Sequence, residues 1–204
     1  MNRPFHSTSL LATLGIGTAL LLAGLPAHAA DGKTTRASAK TTAEQVARGK
    51  YLVNTSGCHD CHTPFKMGPN GPEPDMSRML SGHPESLVMP PAPQLPPGPW
   101  LITSAATNTA HAGPWGVSFT ANLTPDAATG LGDWTLRDFM STIRTGRHMG
   151  RGRAILPPMP IPVYNNFTDA DLAAIYSYLR TIPALNNRVP EPVPPSSVSA
   201  GAKQ

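Results

Sequence analysis

The sequence predicts an all-α domain that carries a long proline-rich insertion. The first observation is a helical pattern near residues 42–56, and the second is a pair of nearly identical helix starts at residues 134 and 167. The third is that strand-type alternation of apolar and polar residues is scarce. Between the first two helical patterns, prolines recur through residues 63–118. Because proline lacks an N–H group and clashes inside helices, this stretch is predicted to be mostly irregular or polyproline-like.

The N-terminus has the three parts of a secretory signal peptide, which is predicted to span residues 1–29. Arg3 supplies the charge, residues 10–25 are apolar, and Ala27-His28-Ala29 has the pattern of a cleavage site. The apolar run is shorter than the ~20 residues that cross a bilayer. We therefore expect export to the periplasm and a mature domain over residues 42–187. An uncleaved membrane anchor is the alternative.

The first helix is predicted from its capping sequence. Residues 30–41 are small, polar and basic, and they predict a flexible leader. Thr42 and Gln45 form a candidate capping box, which places the helix start at Thr42, and Gly57 ends the helix. Gly49 lies inside this helix, where glycine is unfavourable on propensity alone. It indicates either the close approach of another helix or a tolerated glycine.

The segment after this helix, Cys58-His59-Asp60-Cys61-His62, has the attachment pattern of c-type haem. Two thiols at this spacing can bond to the two vinyl groups of one porphyrin, and the histidine that follows directly is brought under the iron as its proximal ligand. The chain has 2 cysteines, so both belong to the motif. The motif therefore predicts one haem c, attached through two thioether bonds at Cys58 and Cys61, with His62 as an iron ligand.

A Cys-x-x-Cys pair has two other common uses. Structural zinc normally takes a second pair of ligands, and the sequence has neither another Cys-x-x-Cys pair nor a suitably spaced pair of histidines. A thioredoxin-like dithiol would lie between a strand and a helix, whereas the segment before Cys58 has a helical pattern. His59, inside the motif, is expected to be a solvent-facing spacer.

The proline-rich insertion of residues 63–118 is longer than ordinary loops, and loops of this length are usually functional or disordered. Apolar residues in and beside it favour an ordered wrap against the haem face, and a mobile loop that docks a partner is the alternative. These residues are Leu80, Leu87, Val88, Trp100, Leu101, Ile102, Trp115 and Phe119. The tail of residues 188–204 is rich in proline and serine and is predicted to be disordered.

Two further helices are predicted from a shared start. Each start has threonine at the N-cap and aspartate three residues later, with large apolar residues at the staple positions. We expect one helix to run from Thr135 to a residue before Gly146, and the other from Thr168 to a stop at Pro183. The side chains expected to face the core are Leu136, Phe139, Met140 and Ile143 in one helix, and Leu172, Ile175, Tyr176 and Leu179 in the other.

The second axial ligand decides between electron transfer and the binding of an external ligand. Met159 has prolines on both sides, which hold the backbone extended and the long side chain at a defined place. We therefore expect Met159 to be the sixth iron ligand. Met149 and His148 are alternatives, as is an iron with an open or water-bound position. The methionines expected only to pack are Met67, Met76, Met79, Met89 and Met140.

The order of these features resembles that of class I c-type cytochromes. The supporting motifs are Gly82-His83-Pro84, Gly113-Pro114-Trp115-Gly116, Ala121-Asn122-Leu123-Thr124-Pro125-Asp126, Thr129-Gly130-Leu131-Gly132, Arg144-Thr145-Gly146-Arg147-His148 and Leu156-Pro157-Pro158-Met159-Pro160. They are similar to the haem domains of periplasmic alcohol- and aldehyde-dehydrogenase cytochrome subunits, over residues 43–195 of this chain. Relatives with several haems carry two or three Cys-x-x-Cys-His motifs, so this chain is not expected to be a complete dehydrogenase cytochrome subunit.

The resemblance implies a cytochrome c fold with the proline-rich loop inserted after the haem motif. It implies thioether links at Cys58 and Cys61, with His62 as the proximal and Met159 as the distal ligand.

The resemblance also implies how two parts of the chain pack. The first helix would cross the last, with Gly49 and Tyr51 packed against Ile175, Tyr176 and Leu179. Residues 122–125 and Trp134 would line the haem edge. Alternatively, residues 122–125 form only a turn, and Trp134 serves only as the hydrophobic staple of the next helix.

The function expected from these features is that of a periplasmic one-electron carrier and not of an enzyme. No residue set predicts a reaction on a substrate, and His83 and His111 are expected to be surface or hydrogen-bonding histidines. The alternatives are a haem peroxidase or gas-binding sensor with an open sixth site, and a fixed cytochrome subunit of a dehydrogenase or oxidase complex.

The expected partners are periplasmic redox proteins, with a dehydrogenase as donor and an oxidase or another cytochrome as acceptor. The formal net charge is only +4, and no tract is rich in lysine or arginine. Nucleic acid is therefore not an expected partner. Contact with a membrane is expected only through an uncleaved signal segment.

Overall fold

The computed structural model describes residues 32–93 and 95–195, with side chains from residue 42 onward. The predicted signal peptide of residues 1–29 and the end of the predicted tail, from residue 196, lie outside the described residues. In chain order the elements are α1 (Gly32–Thr55), α2 (Cys58–His62), β1 (Phe65–Gly68), β2 (Gly71–Pro74), β3 (Thr103–Ser104), β4 (Ala110–Gly113), β5 (Gly116–Phe119), α3 (Leu136–Thr145), α4 (Ile161–Tyr164) and α5 (Asp169–Leu179).

The prediction of an all-α domain is wrong, because the proline-rich insertion contains two small antiparallel sheets. β1 pairs with β2, and β4 lies between β3 and β5. Each strand has four residues or fewer, which is too short to leave a clear period-two pattern in the sequence. Pro72 and Pro74 lie in β2, where a missing N–H group is tolerated because both strands of a two-stranded sheet are edges.

The first helix begins earlier than predicted. α1 starts at Gly32 and runs through the predicted leader, so Thr42 lies inside the helix and not at its N-cap. Residues 33–41 contain no proline or glycine, the two residues that most strongly disfavour the interior of a helix. Among the described residues, no helix combines the length and the apolar character needed to cross a membrane.

The two later helices begin where the sequence predicts. Thr135 and Asp138 form a full capping box at the start of α3, and Gly146 ends that helix with φ 63°. The Thr168 side chain accepts a hydrogen bond from the backbone of Asp171 at the start of α5, which ends at Leu179. The expected inward orientation of Leu136 is wrong, because that side chain is 37% exposed.

The core lies where α1 crosses α5. A Cβ atom on Gly49 would overlap the carbonyl group of Ala174, so the predicted close approach of two helices is confirmed. Tyr51 does not join this crossing: it is 58% exposed, and the Arg48 guanidinium lies over its ring. The buried core side chains are Leu52, Val53, Leu80, Leu131, Phe139, Ile143, Leu172, Ile175, Tyr178, Leu179 and Ile182.

The proline-rich insertion is packed at both ends and exposed in the middle. Leu80 is fully buried, whereas Val88 and Trp100 are 86% and 78% exposed, so the expected burial of the middle residues is wrong. In the predicted disordered tail, Val193 pairs with Val117 through two backbone hydrogen bonds of 2.8 and 2.9 Å. This part of the tail therefore lies beside β5.

Candidate functional site

The short helix α2 presents the histidine of the haem motif in a form that suits a metal ligand. Gly57, with φ 76°, makes the turn between α1 and α2. His62 is buried, and its Nδ1 atom lies 2.8 Å from the carbonyl oxygen of Ala121. A carbonyl can only accept, so Nδ1 carries the proton and donates, which leaves the lone pair on Nε2. Burial lowers the pKa of His62 below its ordinary value, which favours the neutral ring.

The two thiols of the motif lie on the same side of the molecule as His62, and both are partly buried. Burial raises the pKa of Cys58 to about 11 and also raises the pKa of Cys61. A redox dithiol needs the opposite shift, toward a reactive thiolate. Within residues 42–93 and 95–195, no group of three or more His, Cys, Asp or Glu side chains is arranged to hold a metal ion. The geometry thus favours neither a dithiol nor a structural zinc site.

A cavity of about 790 Å³ lies between these residues and the helical core. This volume falls in the range of small-molecule and cofactor sites. Its apolar wall is made by core side chains that include Val53, Leu131, Phe139, Ile143, Leu172, Ile175 and Leu179. Much of the core is therefore built around the cavity.

The cavity brings the four predicted site residues together, because Cys58, Cys61, His62 and Met159 all line it. Met159 also packs against the hydrophobic core, and its carbonyl oxygen accepts a hydrogen bond from the backbone of Ile161 at 2.9 Å. The alternative ligands, Met149 and His148, line the cavity as well. His148 is exposed, and its ring stands edge-on against Trp134 with 5.0 Å between the ring centroids.

Other histidines of the sequence have hydrogen-bonding roles. His59 is not a free spacer, because its ring nitrogens lie 2.9 Å from the Thr63 hydroxyl and 3.1 Å from the Asn54 side chain. His83 is fully buried and bonded through both ring nitrogens. His111 is also buried and lines the cavity, with its Nδ1 atom 2.9 Å from the Ser104 hydroxyl.

Only some of the residues predicted to line the haem edge, residues 122–125 and Trp134, line the cavity. Asn122 and Trp134 line it, but the Asn122 amide is used within the protein. Its nitrogen donates to the carbonyl oxygen of Leu185 at 2.8 Å, and its oxygen accepts from Thr124. Asn122 thus braces a turn, and Trp134 precedes the N-cap of α3 as the staple pattern predicts.

Three features of the site were not predicted from the sequence. Ser118 and Tyr164 both line the cavity and hold neighbouring segments by side-chain hydrogen bonds. Residues 188–192 of the predicted tail form part of the cavity wall as well. No motif marks these residues, because their partners lie far away in the sequence. Neither a single serine, nor a single tyrosine, nor a proline-rich tail carries a local pattern that marks a cavity wall.

Residues 46–183 match the family model described as Cytochrome c. This chain belongs to the cytochrome c family. The resemblance predicted from its motifs is confirmed, and the family indicates an electron-transfer haemoprotein with haem c as its cofactor.

The relatives of this cytochrome include cytochrome subunits of dehydrogenases. It is 29% identical to the fructose dehydrogenase cytochrome subunit of Gluconobacter japonicus, over 88% of this chain and 28% of the relative. It is 28% identical to the alcohol dehydrogenase (quinone) cytochrome c subunit of Gluconobacter oxydans strain 621H, over 72% and 24%. The gluconate 2-dehydrogenase cytochrome c subunit of Pantoea cypripedii is 28% identical, over 65% and 22%. The matched part of this cytochrome spans about a quarter of the length of these relatives.

The residues around the cavity fit haem c. The wall is largely apolar, as a porphyrin requires, and a neutral histidine and a methionine sulfur are ligands that haem iron takes. Burial raises the pKa of both thiols, and both thiols line the same cavity. The donor set and the shape of the site therefore agree with the cofactor that the family indicates.

Proposed function

We propose that this cytochrome is a periplasmic one-electron carrier that holds a single haem c between His62 and Met159. The observation that carries this proposal is the shared cavity, which is lined by both candidate axial ligands and by both thiols of the haem motif. The axial ligands, the single haem, its covalent attachment and the periplasmic location are all part of this proposal.

Each side chain has a distinct part in this proposal. Cys58 and Cys61 would hold the porphyrin through thioether bonds, and His62 would bind the iron through Nε2 while Ala121 fixes the orientation of its ring. A bound haem supplies the chemistry, which is the uptake and release of one electron. The Met159 sulfur would raise the reduction potential above that of a site with two histidines. A ligand that stays in place in both redox states keeps the structural change on electron transfer small.

The periplasmic location rests on the sequence. Residues 1–29 have the pattern of a secretory signal, and covalent haem attachment fits a compartment outside the inner membrane. The described residues begin after this segment.

A fixed cytochrome subunit of a dehydrogenase complex is the second candidate. It is favoured by the relatives, whose names are those of cytochrome subunits of fructose, gluconate and alcohol dehydrogenases. On this proposal a periplasmic dehydrogenase is the electron donor, and the chain stays bound to it. Affinity purification from the periplasm at native expression separates the two candidates. A stoichiometric dehydrogenase that survives size-exclusion chromatography supports the subunit, and a monomeric haem protein supports the carrier.

The ligand assignment is tested by optical spectra of the mature haem protein, ferric and ferrous, with carbon monoxide added to the reduced form. A closed site with a methionine–iron charge-transfer band and no rapid reaction with carbon monoxide supports electron transfer. Rapid binding without that band would indicate an open sixth position, as a peroxidase or gas sensor requires.

Substitution of the methionine gives a sharper test. We expect Met159→Ala to keep the haem attached, to lose the charge-transfer band, to bind carbon monoxide and to have a lower reduction potential. Met149→Ala would have these effects instead if Met149 were the ligand. Met67→Ala is the neutral control, because Met67 is 77% exposed on β1. An unchanged spectrum and potential in Met159→Ala would show that the assignment is wrong.

A further inference from the structure

Met159 lies in a segment of residues 155–164, here named the methionine segment. Its prolines restrict the backbone dihedral angles, but they do not set the position of the segment relative to His62. That position depends on contacts with the rest of the protein. Two side chains make such contacts at the cavity, one near each end of the segment.

Ser118 makes the first contact. Its side chain is buried, and its hydroxyl group donates to the carbonyl oxygen of Pro157 at 2.6 Å. Pro157 is in the same rigid run of prolines as Met159. The chain continues from Ser118 to Ala121, whose carbonyl oxygen accepts the hydrogen bond from His62 Nδ1. The short stretch 118–121 therefore touches the segments that carry both proposed axial ligands.

Tyr164 makes the second contact, at the other end of the segment. Its hydroxyl group donates to the carbonyl oxygen of Ser56 at 2.6 Å, across 108 positions of sequence. Ser56 directly precedes the turn into the haem motif, and carbonyl groups at the end of a helix lack partners within that helix. Burial raises the pKa of Tyr164 above its usual range, so the hydroxyl remains a donor. Tyr164 thus links the methionine segment to the segment that carries Cys58.

We propose that Ser118 and Tyr164 are positioning residues that brace the methionine segment from both ends and keep the Met159 sulfur at a fixed distance from His62. This inference rests on the proposed His62 and Met159 ligation. It also gives the β4–β5 hairpin of the insertion a role, because that hairpin supplies Ser118. Arg144 holds the chain just beyond the segment, through the carbonyl oxygens of Asn165 and Phe167, and is left unchanged in the test.

The test uses Ser118→Ala, Tyr164→Phe and the double variant of the haem-loaded, full chain. Tyr176→Phe is the control for tyrosine, because its hydroxyl also donates to a backbone carbonyl, that of Trp134, at 2.6 Å. Ser177→Ala is the control for serine, because its hydroxyl donates to Ala173 within α5 at 2.8 Å. Both controls lose one hydrogen bond from a side-chain hydroxyl to a backbone carbonyl, and neither bond involves the methionine segment.

The readouts are the methionine–iron charge-transfer band, the rate of carbon monoxide binding to the reduced protein, the reduction potential and the melting temperature. Carbon monoxide reports how often the methionine leaves its position. We expect about a fivefold faster reaction in each single variant, the factor for about 1 kcal/mol of one lost hydrogen bond, and roughly 25-fold in the double variant. The band should weaken and the potential should fall. The controls should keep the band, the carbon monoxide rate and the potential of the wild type.

The outcomes separate this inference from the function on which it rests. If the wild type lacks the band and binds carbon monoxide rapidly, the ligation proposal fails and the bracing role fails with it. If Met159→Ala opens the site while Ser118→Ala and Tyr164→Phe behave like their controls, only the bracing role is overturned. Should Tyr164→Phe not take up haem, the comparison of Ser118→Ala with Ser177→Ala decides the question.

Discussion

Single buried polar side chains hold the loops around the cavity of this cytochrome. Asn187 is 3% exposed, and its amide nitrogen donates to the carbonyl oxygens of Ser81 and His83, both at 2.8 Å. Its amide oxygen accepts from the Arg78 side chain and from the backbone of Glu85. One amide thereby joins the C-terminal segment to the proline-rich insertion, and every one of its polar atoms is used.

We expect Asn187→Ala to lower the free energy of unfolding by about 3 kcal/mol, because buried groups that lose their partners cost about 1–3 kcal/mol each. Denaturant unfolding of the haem-loaded protein measures the effect. Asn186→Ala is the matched control, since Asn186 is exposed and makes a single bond of 3.4 Å to Asp126. Equal losses in the two variants would contradict the structural role assigned to Asn187.

His83 predicts a dependence of stability on pH. Burial lowers the pKa of His83 in the folded protein below its ordinary value of 6.5. Below pH 6.5 the unfolded chain takes up a proton that the folded chain resists, so the unfolded state binds more protons and stability falls as the pH falls. In His83→Gln, the unfolding free energy should fall less steeply than in the wild type between pH 6.5 and 5. The two slopes should differ by at most about 1.4 kcal/mol per pH unit, which is the contribution of one proton. Identical slopes in the two proteins would rule out this contribution.

At the scale of elements, α1 and α5 approach closely because Gly49 has no side chain. The backbone of α5 at Ala174 lies against Gly49, and the Tyr178 side chain covers the same place. The Arg48 side chain and Asp171 form an ion pair of 3.0 Å on the outer side of the contact. Glycine is unfavourable within a helix, but here it permits the helices to approach and to enclose the apolar wall of the cavity.

Gly49→Ala should destabilise the protein by about 2 kcal/mol. Alanine gains about 1 kcal/mol of helix propensity, whereas overpacking costs about 1–3 kcal/mol and sometimes more. The overlap is with a backbone carbonyl, which side-chain rotation cannot relieve, so the cost exceeds the gain. Gly98→Ala is the control, because the nearest atom to its new Cβ would be 3.8 Å away, and a change within about 0.5 kcal/mol is expected. A stabilised Gly49→Ala would mean that the helices can move apart freely.

At the scale of the whole molecule, the cavity that we propose for the haem shares its wall with the hydrophobic core. α1, α3 and α5 contribute core side chains to the cavity wall, and the hairpin of the insertion and residues 188–192 close other sides of it. Five ion pairs contribute little to this arrangement, since each has at least one exposed partner: Arg48–Asp171, Lys66–Asp75, Arg144–Asp169, Arg151–Asp138 and Arg153–Glu191. The stability of the domain should therefore depend on the group that fills the cavity.

Once its haem has been extracted, the double variant Cys58→Ala, Cys61→Ala should be less stable than the haem protein. Burial of a large apolar side chain contributes about 1.5–3 kcal/mol, so incomplete burial of several such side chains should cost roughly 6 kcal/mol. At about 2–4 °C per kcal/mol for a domain of this size, the melting temperature should fall by roughly 12–24 °C. Thermal unfolding followed by circular dichroism measures the difference. Met159→Ala, which is expected to keep its haem, should retain most of the stability, and equal melting temperatures for all three proteins would contradict this dependence.

The sequence by itself determined the features whose physical cause is local. The haem motif spans five residues, a capping box spans four, and a glycine such as Gly146 ends a helix through its own φ angle. These patterns predicted the starts of α3 and α5 and the family, whereas the helical form of the haem motif in α2 was not predicted. They also singled out Cys58, Cys61, His62 and Met159, which line one cavity, and the roles of these residues toward a haem remain predictions.

The tertiary structure decided the features that depend on distant partners. Strands of four residues carry little pattern of their own and form only because another strand pairs with them, so the two sheets were missed. Val193 is ordered by Val117, Ser118 by Pro157, and Tyr164 by a carbonyl 108 positions away. A hydrogen bond between distant segments depends on how the whole chain folds, and for that reason no local pattern in the sequence reveals it.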